Sequence, residues 1–576
     1  MHTDKTATIS SYWWASARGV ARTVRVWTLA AIVVAFGLTR AGDAADGGLD
    51  AGFGVDGIVI TDFAGARDEA NAAAVDGAGR IVAAGNTWSD LRPRFALARY
   101  QADGTPDVTF GDSGKVSTDL GRGAGIFDVA IDAQGRIVAA GIAQMPAWDS
   151  DGTLVAYTMD FALARYNADG SLDTSFGPDG NGTVTTALPG YQNDTISGLA
   201  IDANGRIVVA GFQLGRFALA RYSPDGVLDG GFGTAGIVMT SLPTPSFAYA
   251  VALDGAGRIV VAGLATAAGA AGDVALARYN DDGSLDQTFG SGGLVVSDLG
   301  ASEFARGVTV DADGRIVVTG LSGNSFLVAR YTSNGALDGE FNAGGSVITA
   351  VGGSSSSSAT DLAIDTTGRI VAVGYALATT ESGPMWHFAV TRYLEGGSLD
   401  ASFGSGGSLI TSLGGDAFAK SVAFDAGGNL VLAGTLGPAG VDDATANDFA
   451  VVRYAVETSG YTFTGFFPPV DNAPVLNVVK AGSAVPVKFS LNGDYGLNIL
   501  AEGSPSSQPI ACDAVAPLDV VTDILSAPDS RLTYDAEQDQ YIYIWKTQKA
   551  WANTCRQLVV TLTDGTSRVA NFRFAK

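Results

Sequence analysis

The most informative part of the sequence is the stretch Phe217-Ala-Leu-Ala-Arg-Tyr-Ser-Pro-Asp-Gly-Val-Leu-Asp-Gly-Gly-Phe-Gly233. Its Arg-Tyr, Leu-Asp and Phe-Gly steps recur along residues 49–454, and the repeats also carry a segment of the form Asp-x-x-Gly-Arg-Ile-Val-x-x-Gly, in which Asn429 replaces the arginine of the last repeat. A motif that recurs so often is better suited to a scaffold than to a single reaction. Repeats of 50–60 residues that are rich in β-formers are typical of stacked or radially arranged β units.

Each repeat predicts four short strands. In the third repeat these are Thr183–Thr186, Ile196–Asp202, Arg206–Gly211 and Phe217–Tyr222. Each run is rich in β-branched and aromatic residues and is bounded by Gly, Asp, Asn or Pro, as strands between tight turns are. Sustained helical periodicity is absent from the repeats. The pattern therefore predicts a four-stranded antiparallel blade.

The number of repeats predicts the architecture. The arginines of the Arg-Tyr step are Arg99, Arg165, Arg221, Arg278, Arg330, Arg392 and Arg453. The phenylalanines of the Phe-Gly step are Phe53, Phe110, Phe176, Phe232, Phe289, Phe341 and Phe403. Both series contain seven members, which favours an all-β fold with a seven-bladed β-propeller over an open solenoid with no special repeat number.

The phase of the repeat predicts how such a ring closes. The first repeat begins with a Phe-Gly segment and an extra strand, and the last repeat ends at Tyr454 without one. We therefore expect residues Gly57–Asp62 to pair beside Phe449–Tyr454. This pairing would remove two open sheet edges.

The repeated residues resemble the Delta-60 repeat family of bacterial secreted proteins. The resemblance rests on the Gly-Arg-Ile-Val-x-x-Gly and Arg-Tyr-x-x-Asp-Gly-x-Leu-Asp-x-x-Phe-Gly motifs, and it covers about 400 residues. It implies a propeller at residues 45–456. That family is named for its repeat, so the resemblance implies little about chemistry.

The N-terminus predicts export. Arg18, Arg22 and Arg25 precede an uncharged apolar run at Val26–Leu38, and small residues follow. This is the pattern of a signal peptide at residues 1–44, cleaved near Ala44. An uncleaved anchor is the alternative. We expect a secreted, periplasmic or cell-surface protein with no membrane span in the mature chain.

A second domain is predicted at residues 465–576, after a linker at 457–464. Its alternating apolar and polar residues suit a small antiparallel β-sandwich. The chain contains two cysteines, Cys512 and Cys555, and in an exported protein such a pair predicts a disulfide. The Pro486-Val-Lys-Phe489 motif and the opening Gly465-Phe-Phe-Pro-Pro-Val470 resemble the PxKF domain of exported bacterial proteins.

Composition limits the classes of partner. With 35 basic and 59 acidic residues the net charge is −24, which argues against nucleic acid and anionic lipid as partners. We predict no cofactor, no metal site and a monomer. Turns such as Asn167-Ala-Asp-Gly-Ser-Leu-Asp173 superficially resemble a calcium loop but lack its further carboxylate ligand. The repeated Arg and Asp residues are predicted to join neighbouring blades by charge-assisted hydrogen bonds.

Candidate ligand-binding residues lie where the repeats differ. The segments Ile142–Asp160, Tyr375–His387 and Thr435–Asp448 are longer than their counterparts and are predicted to be loops on one face. The candidates, with Trp88 from the first repeat, are Trp88, Trp148, Asp149, Asp151, Tyr157, Trp386, His387, Asp442 and Asp443. Insertions without a partner are the alternative interpretation.

The sequence therefore predicts an exported binding module without enzymatic activity, whose partner is a carbohydrate or a protein at the cell surface. No catalytic residue is singled out, because His387 is the one histidine after the leader and no nucleophile motif accompanies it. A carbohydrate hydrolase or lyase that uses paired carboxylates is one alternative. A structural surface or matrix component is the other.

Overall fold

The described part of the chain consists of β-strands and short 3₁₀ turns, with no α-helix. The computed structural model describes residues 46–576 except 64–66, 90–91, 149–153, 191–192, 267–271, 381–382, 439–445, 457–462, 492–496, 498, 502, 513–517, 521–531, 536–537 and 563–565. The predicted signal peptide lies outside these residues. No helix in the described ranges has the length and apolar character that a membrane crossing requires.

Residues 48–455 form 29 strands that are arranged in repeated antiparallel sheets. Two short strands come first: β1 (Gly48–Leu49) and β2 (Ile58–Thr61). Six four-stranded sheets then follow in chain order. The first three consist of β3 (Asp68–Val75), β4 (Ile81–Ser89), β5 (Arg92–Tyr100) and β6 (Lys115–Thr118); β7 (Ala124–Ile131), β8 (Ile137–Trp148), β9 (Leu154–Tyr166) and β10 (Thr183–Thr186); and β11 (Thr195–Ile201), β12 (Ile207–Gln213), β13 (Arg216–Tyr222) and β14 (Ile237–Thr240). The next three consist of β15 (Ser246–Leu253), β16 (Ile259–Thr266), β17 (Gly272–Tyr279) and β18 (Leu294–Ser297); β19 (Glu303–Val310), β20 (Ile316–Ser322), β21 (Ser325–Tyr331) and β22 (Ser346–Thr349); and β23 (Ser357–Ile364), β24 (Ile370–Thr380), β25 (Gly383–Tyr393) and β26 (Ser408–Thr411).

The next sheet joins the two ends of the repeat region. It contains β27 (Ala417–Phe424), β28 (Leu430–Leu436) and β29 (Asp448–Ala455), and both β1 and β2 pair with β29. Ile58 lies opposite Val452 and Thr61 lies opposite Phe449. The predicted pairing of the N-terminal strand with the last repeat is confirmed.

The first strands of successive sheets lie side by side. β3 contacts β7, and the same relation continues through β11, β15, β19 and β23 to β27, which in turn contacts β3. Repeated four-stranded sheets in this arrangement are the architecture of a β-propeller.

The glycine of the Ile-Val-x-x-Gly segment permits the close pairing of the first two strands. A Cβ atom on Gly211 would lie 1.7 Å from the carbonyl oxygen of Thr195. This close approach occurs beside a bulge between Ile196 and Gly198, where the strand register shifts. Only a residue without a side chain fits at such a contact.

The Arg-Tyr step connects neighbouring sheets. The Nε atom of Arg165 donates to Oδ2 of Asp173 at 2.8 Å within one sheet, and its Nη1 atom donates to the carbonyl oxygen of Pro224 beside the next sheet. The hydroxyl of Tyr166 donates to Thr118 of the preceding sheet at 2.9 Å. The arginine therefore joins blades by a charge-assisted hydrogen bond, as predicted, but the role of the aspartate needs a correction: Asp173 lies in the same sheet as Arg165, and the link to the next sheet is made to a backbone carbonyl.

The C-terminal segment forms two sheets. One contains β30 (Thr464–Phe467), β32 (Ala484–Ser490), β35 (Leu532–Asp535) and β36 (Gln540–Lys546). The other contains β31 (Leu476–Lys480), β33 (Ser506–Ile510), β34 (Leu518–Val520), β37 (Cys555–Thr561) and β38 (Ser567–Ala575). Side chains from both sheets, such as Phe489 and Phe572, share one apolar core. The predicted disulfide between Cys512 and Cys555 is present, with the Cα atoms 5.4 Å apart.

Candidate functional site

Alternate residues of the first strands leave the apolar interior of the sheets. In β27, Ala417 and Ala419 are buried, whereas Phe418 and Lys420 are half-buried. β19 repeats the pattern, with Phe304 and Arg306 half-buried between buried neighbours. Successive side chains of a strand point to opposite faces, so these half-buried residues lie on the face that is turned away from the sheet's own core.

Half-buried side chains from non-adjacent sheets influence one another. The positive charge of Arg306 on β19 lowers the pKa of Lys420 on β27, and Glu69 on β3 raises it. Tyr249 on β15 is affected by the same arginine. The charges of these residues therefore interact across the first strands, and the ring of Tyr249 lies 6.2 Å from that of Phe304. We call them, with the rings that contact them, the central cluster: Glu69, Tyr249, Phe304, Arg306, Tyr375, Phe418 and Lys420.

Aromatic rings surround the two cations of the central cluster. The guanidinium of Arg306 lies 5.1 Å from the ring centroid of Phe304, and Nζ of Lys420 lies 5.7 Å and 5.8 Å from the centroids of Tyr375 and Phe418. These distances are suited to cation–π attraction. Tyr375 and Phe418 contact each other edge to face at 5.1 Å.

Neither cation has a carboxylate within ion-pair distance in the described part of the chain, although Glu69 acts on Lys420 from further away. The buried arginines of the Arg-Tyr step each pair with an aspartate, whereas no ion pair involves Arg306 or Lys420. Burial, followed by the charge of Arg306, lowers the pKa of Lys420 to about 8. The centre thus holds two neighbouring cations, one of them strongly desolvated, in a protein of net charge −24.

Trp386 lies beside the central cluster. Its ring centroid is 5.3 Å from that of Tyr375 and 6.0 Å from that of Phe418, and its backbone N–H donates to Oδ1 of Asp416 at 2.8 Å. His387 is only 2% exposed, and its Nδ1 atom has no hydrogen-bond partner among the described residues. Burial lowers its pKa, against the opposing effect of Asp416.

Two more of the candidate aromatic residues, Trp88 and Tyr157, lie against arginine side chains. Arg67 covers the half-buried ring of Trp88 at 4.8 Å, and Arg122 covers the ring of Tyr157, which is 37% exposed, at 3.9 Å. The backbone of Trp148 pairs with Leu154, but its side chain lies outside the described residues. Asp149, Asp151, Asp442 and Asp443 also lie outside them. Ligand binding at these positions stays a prediction.

Two of the three segments predicted as long loops are largely paired strands. β8 and β9 stay in register from Ile137 to Ala147, and β24 and β25 from Ile370 to Thr380. Extending the hairpin satisfies the backbone hydrogen bonds that an irregular loop would leave to water. The inserted residues therefore form projecting hairpins.

Sequence reasoning missed Arg306, Lys420 and Tyr249. Each occupies the bulge of a first strand, where the register shifts by one residue. The repeat motif does not constrain this position, so these residues form no visible series. The available signal was a charge inside an otherwise apolar strand, as in Phe-Ala-Arg-Gly-Val (304–308) and Phe-Ala-Lys-Ser-Val (418–422).

Comparison with known proteins supports a β-propeller repeat family. The family model described as "Domain of unknown function (DUF5122) beta-propeller" matches residues 79–110, 150–176, 203–232, 257–289 and 312–341. No curated protein matches the chain in sequence.

Similarity to solved structures is weak. Sqt1 of Chaetomium thermophilum has 12% identity and a TM-score of 0.35, over 68% of this chain and 96% of that chain. MPT-4, a mannose phosphorylase from Leishmania mexicana, has 11% identity and a TM-score of 0.25, over 46% of this chain and 85% of that chain. The GH32 β-fructofuranosidase BmSUC1 of Bombyx mori has 8% identity and a TM-score of 0.25, over 70% of this chain and 92% of that chain. Similarity at this level has no bearing on function.

Proposed function

We propose that this chain is an exported, seven-bladed β-propeller that binds an acidic carbohydrate at the central cluster. The observation that carries the proposal is the pair Arg306 and Lys420, neither of which has an ion-pair partner among the described residues. An unpaired, partly desolvated cation is costly in a folded protein. A carboxylate on the ligand would supply a counter-charge to these two cations.

The aromatic rings favour a sugar over a small inorganic anion. Phe304, Tyr375 and Phe418 present half-buried ring surfaces next to the cations. An acidic sugar has an apolar ring face to pack on an aromatic side chain and a carboxylate to meet a cation. Apolar lining with a few placed polar groups is the usual composition of a ligand site.

Contacts between the two ends of the repeat region support seven blades in a closed ring. Nε of Arg453 donates to Oδ2 of Asp50 at 2.9 Å, and its Nη1 donates to the carbonyl oxygen of Ala102. The hydroxyls of Tyr100 and Thr61 lie 2.6 Å apart. These are the contacts that join successive sheets elsewhere, now made between the last repeat and the first.

A carboxylate pair near the centre is better explained as structural than catalytic. Asp128 accepts the backbone N–H groups of Val129 and Leu199, and Asp361 accepts those of Leu362 and Val422. Each carboxylate thereby links its own first strand to that of the next sheet. With their oxygens already engaged, these residues do not favour a glycosidase over a binding module.

Export and the C-terminal assignment complete the proposal. The disulfide between Cys512 and Cys555 suits an oxidising compartment. The repeats are assigned to the Delta-60 type, and residues 465–576 to a PxKF-type β-sandwich that accompanies the propeller.

Calorimetric titration with trigalacturonate tests the proposal, and its methyl ester provides the uncharged matched ligand. We expect the acid to bind and the ester to bind at least about tenfold more weakly, because a charge-assisted contact contributes about 1.5–3 kcal/mol. Lys420→Gln and Arg306→Gln should each weaken binding of the acid about tenfold or more. Arg122→Gln, which alters a cation–aromatic pair outside the central cluster, should leave it unchanged.

Affinity for the acid should also depend on pH. Because the pKa of Lys420 is about 8 in the folded protein, its ammonium is present below that pH and is lost as the pH rises through it. Affinity should therefore fall between pH 7 and 9, whereas Lys420→Arg should retain it because guanidinium stays charged. No binding by the wild type, equal binding of acid and ester, or unchanged binding after both glutamine substitutions would refute the proposal.

A further inference from the structure

Three acidic residues meet where the N-terminal strand joins the last sheet. Asp62 directly follows β2, Asp448 is the first residue of β29, and Asp68 is the first residue of β3. Since Thr61 lies opposite Phe449, Asp62 and Asp448 follow on as the next cross-strand neighbours. One carboxylate oxygen from each of the three residues lies within 4.8 Å of the others.

Three carboxylates this close together repel one another when they are ionised. Like charges directly opposite each other destabilise a strand pair. Nζ of Lys115 is close by, but it donates to the backbone carbonyl oxygen of Asp62 at 3.0 Å.

Asp68 also has an oxygen without a partner. The side chain is fully buried, and its Oδ2 atom accepts the N–H of Phe63 at 2.6 Å. The Oδ1 atom has no hydrogen-bond partner among the described residues. A buried carboxylate oxygen left without a donor or a cation is costly.

At the equivalent positions of two other sheets, both carboxylate oxygens accept hydrogen bonds. Asp194 accepts from Leu188 through Oδ2 and from Gln213 through Oδ1, both at 2.8 Å. Glu303 accepts from Leu299 at 3.2 Å through one oxygen, and from Ala301 and Ser322 through the other. Thr87 lies opposite Asp68 and its side chain interacts with that carboxyl group, but Oδ1 of Asp68 has no hydrogen-bond partner among the described residues.

A second acidic triplet provides an internal comparison. Asp273, Asp298 and Glu303 also bring three oxygens within 4.8 Å of one another, at the corresponding positions of β17, β18 and β19. Both oxygens of Glu303 are already engaged, so this triplet does not share the feature that singles out Asp68.

We propose that Asp62, Asp68 and Asp448 bind a calcium ion that fastens β2 to the first and last sheets. Calcium takes six to eight oxygen ligands at 2.3–2.6 Å, so two ligands of one ion are at most about 5 Å apart, which the triplet satisfies. Extracellular calcium sites commonly have dissociation constants of about 0.1–1 mM. Magnesium demands a stricter octahedral geometry and keeps more of its water.

The mature protein and its Asp448→Asn variant are titrated with calcium to test this site. Calorimetry measures binding, and thermal melting measures stabilisation. The wild type should bind one calcium ion per chain, and its melting temperature should rise by about 1–3 °C in about 5 mM calcium. Asp448→Asn should lose both responses. In chelator, the same variant should melt at or above the wild-type temperature, because the substitution removes like-charge repulsion; a merely structural role for Asp448 would predict the opposite.

Asp298→Asn is the matched control and should keep the full calcium response. If Asp448→Asn fails to fold, Asp62→Asn, which alters an exposed member of the triplet, takes its place. The inference is overturned if the wild type shows no calcium response, if Asp298→Asn loses it, if the Asp448 or Asp62 variant retains it, or if magnesium produces an equal response. This outcome is independent of whether an acidic carbohydrate binds at the central cluster.

Discussion

Arg165 shows how one side chain of the repeat serves two sheets. Its guanidinium pairs with Asp173, covers the ring of Phe176 at 4.6 Å and reaches the carbonyl of Pro224 beside the next sheet. The arginine is 1% exposed and its aspartate 11%. Water does not reach such buried ion pairs. If one partner is removed, the other charge stays buried without compensation, and this dominates the loss of folding free energy.

Arg165→Ala should therefore destabilise the protein by about 3–5 kcal/mol, because Asp173 would stay buried without its main partner. The control is Arg94→Ala: Arg94 pairs with Asp119 at 3.4 Å, and the two side chains are 32% and 49% exposed. Its loss should cost less than about 1 kcal/mol. Urea denaturation of both variants measures the difference, and equal losses would contradict this assignment of roles.

At the scale of elements, β2 has more influence than its four residues suggest. It pairs with β29 from Ile58 to Thr61, and Val59 packs on the core that the first and last sheets share. Without β2, the edge of β29 would present unpaired N–H and C=O groups to solvent. Such edges promote association between chains.

A chain that begins at residue 63 should melt more than about 5 °C below one that begins at residue 45, and it should self-associate. A synthetic peptide of residues 46–62 should reverse both effects by adding its strands to the free edge. Ile60→Lys is the matched control, since Ile60 is 42% exposed and points away from the core. Light scattering and thermal melting give the measurement. A monomeric truncated chain of unchanged stability would exclude this role for β2.

Across the whole molecule, several buried aspartates have a raised pKa and so keep their protons more readily than exposed carboxylates do. Burial is the largest cause that raises the pKa of Asp128 to about 7, and of Asp68, Asp194 and Asp361 to about 6. All four retain a proton at a higher pH in the folded chain than in the unfolded chain, where an aspartate has a pKa of about 3.9.

Between about pH 4 and 7 the folded chain thus binds more protons than the unfolded chain, so the free energy of unfolding should fall as the pH rises. Aspartates whose pKa is lowered, such as Asp286 at about 2, have their effect below this window. Denaturation in chelator at pH 4.5, 6 and 7.5 measures the slope. Asp128→Asn should make it shallower. A stability that rises across the window would show that these carboxylates are ionised in the folded protein.

The strands, their grouping in fours, the pairing of the N-terminal strand with Phe449 and its neighbours, and the disulfide could all be predicted from the sequence. These features follow from local alternation, from turn residues and from the count of a repeated motif, all of which are visible along the chain. Which side chains meet could not be predicted and became visible in the folded protein. Arg306, Lys420 and Glu69 come from three sheets, and Asp62, Asp68 and Asp448 from both ends of the repeat region. The physical reason is that contacts between first strands, and not sequence proximity, bring them together, and their positions lie outside the motif that recurs.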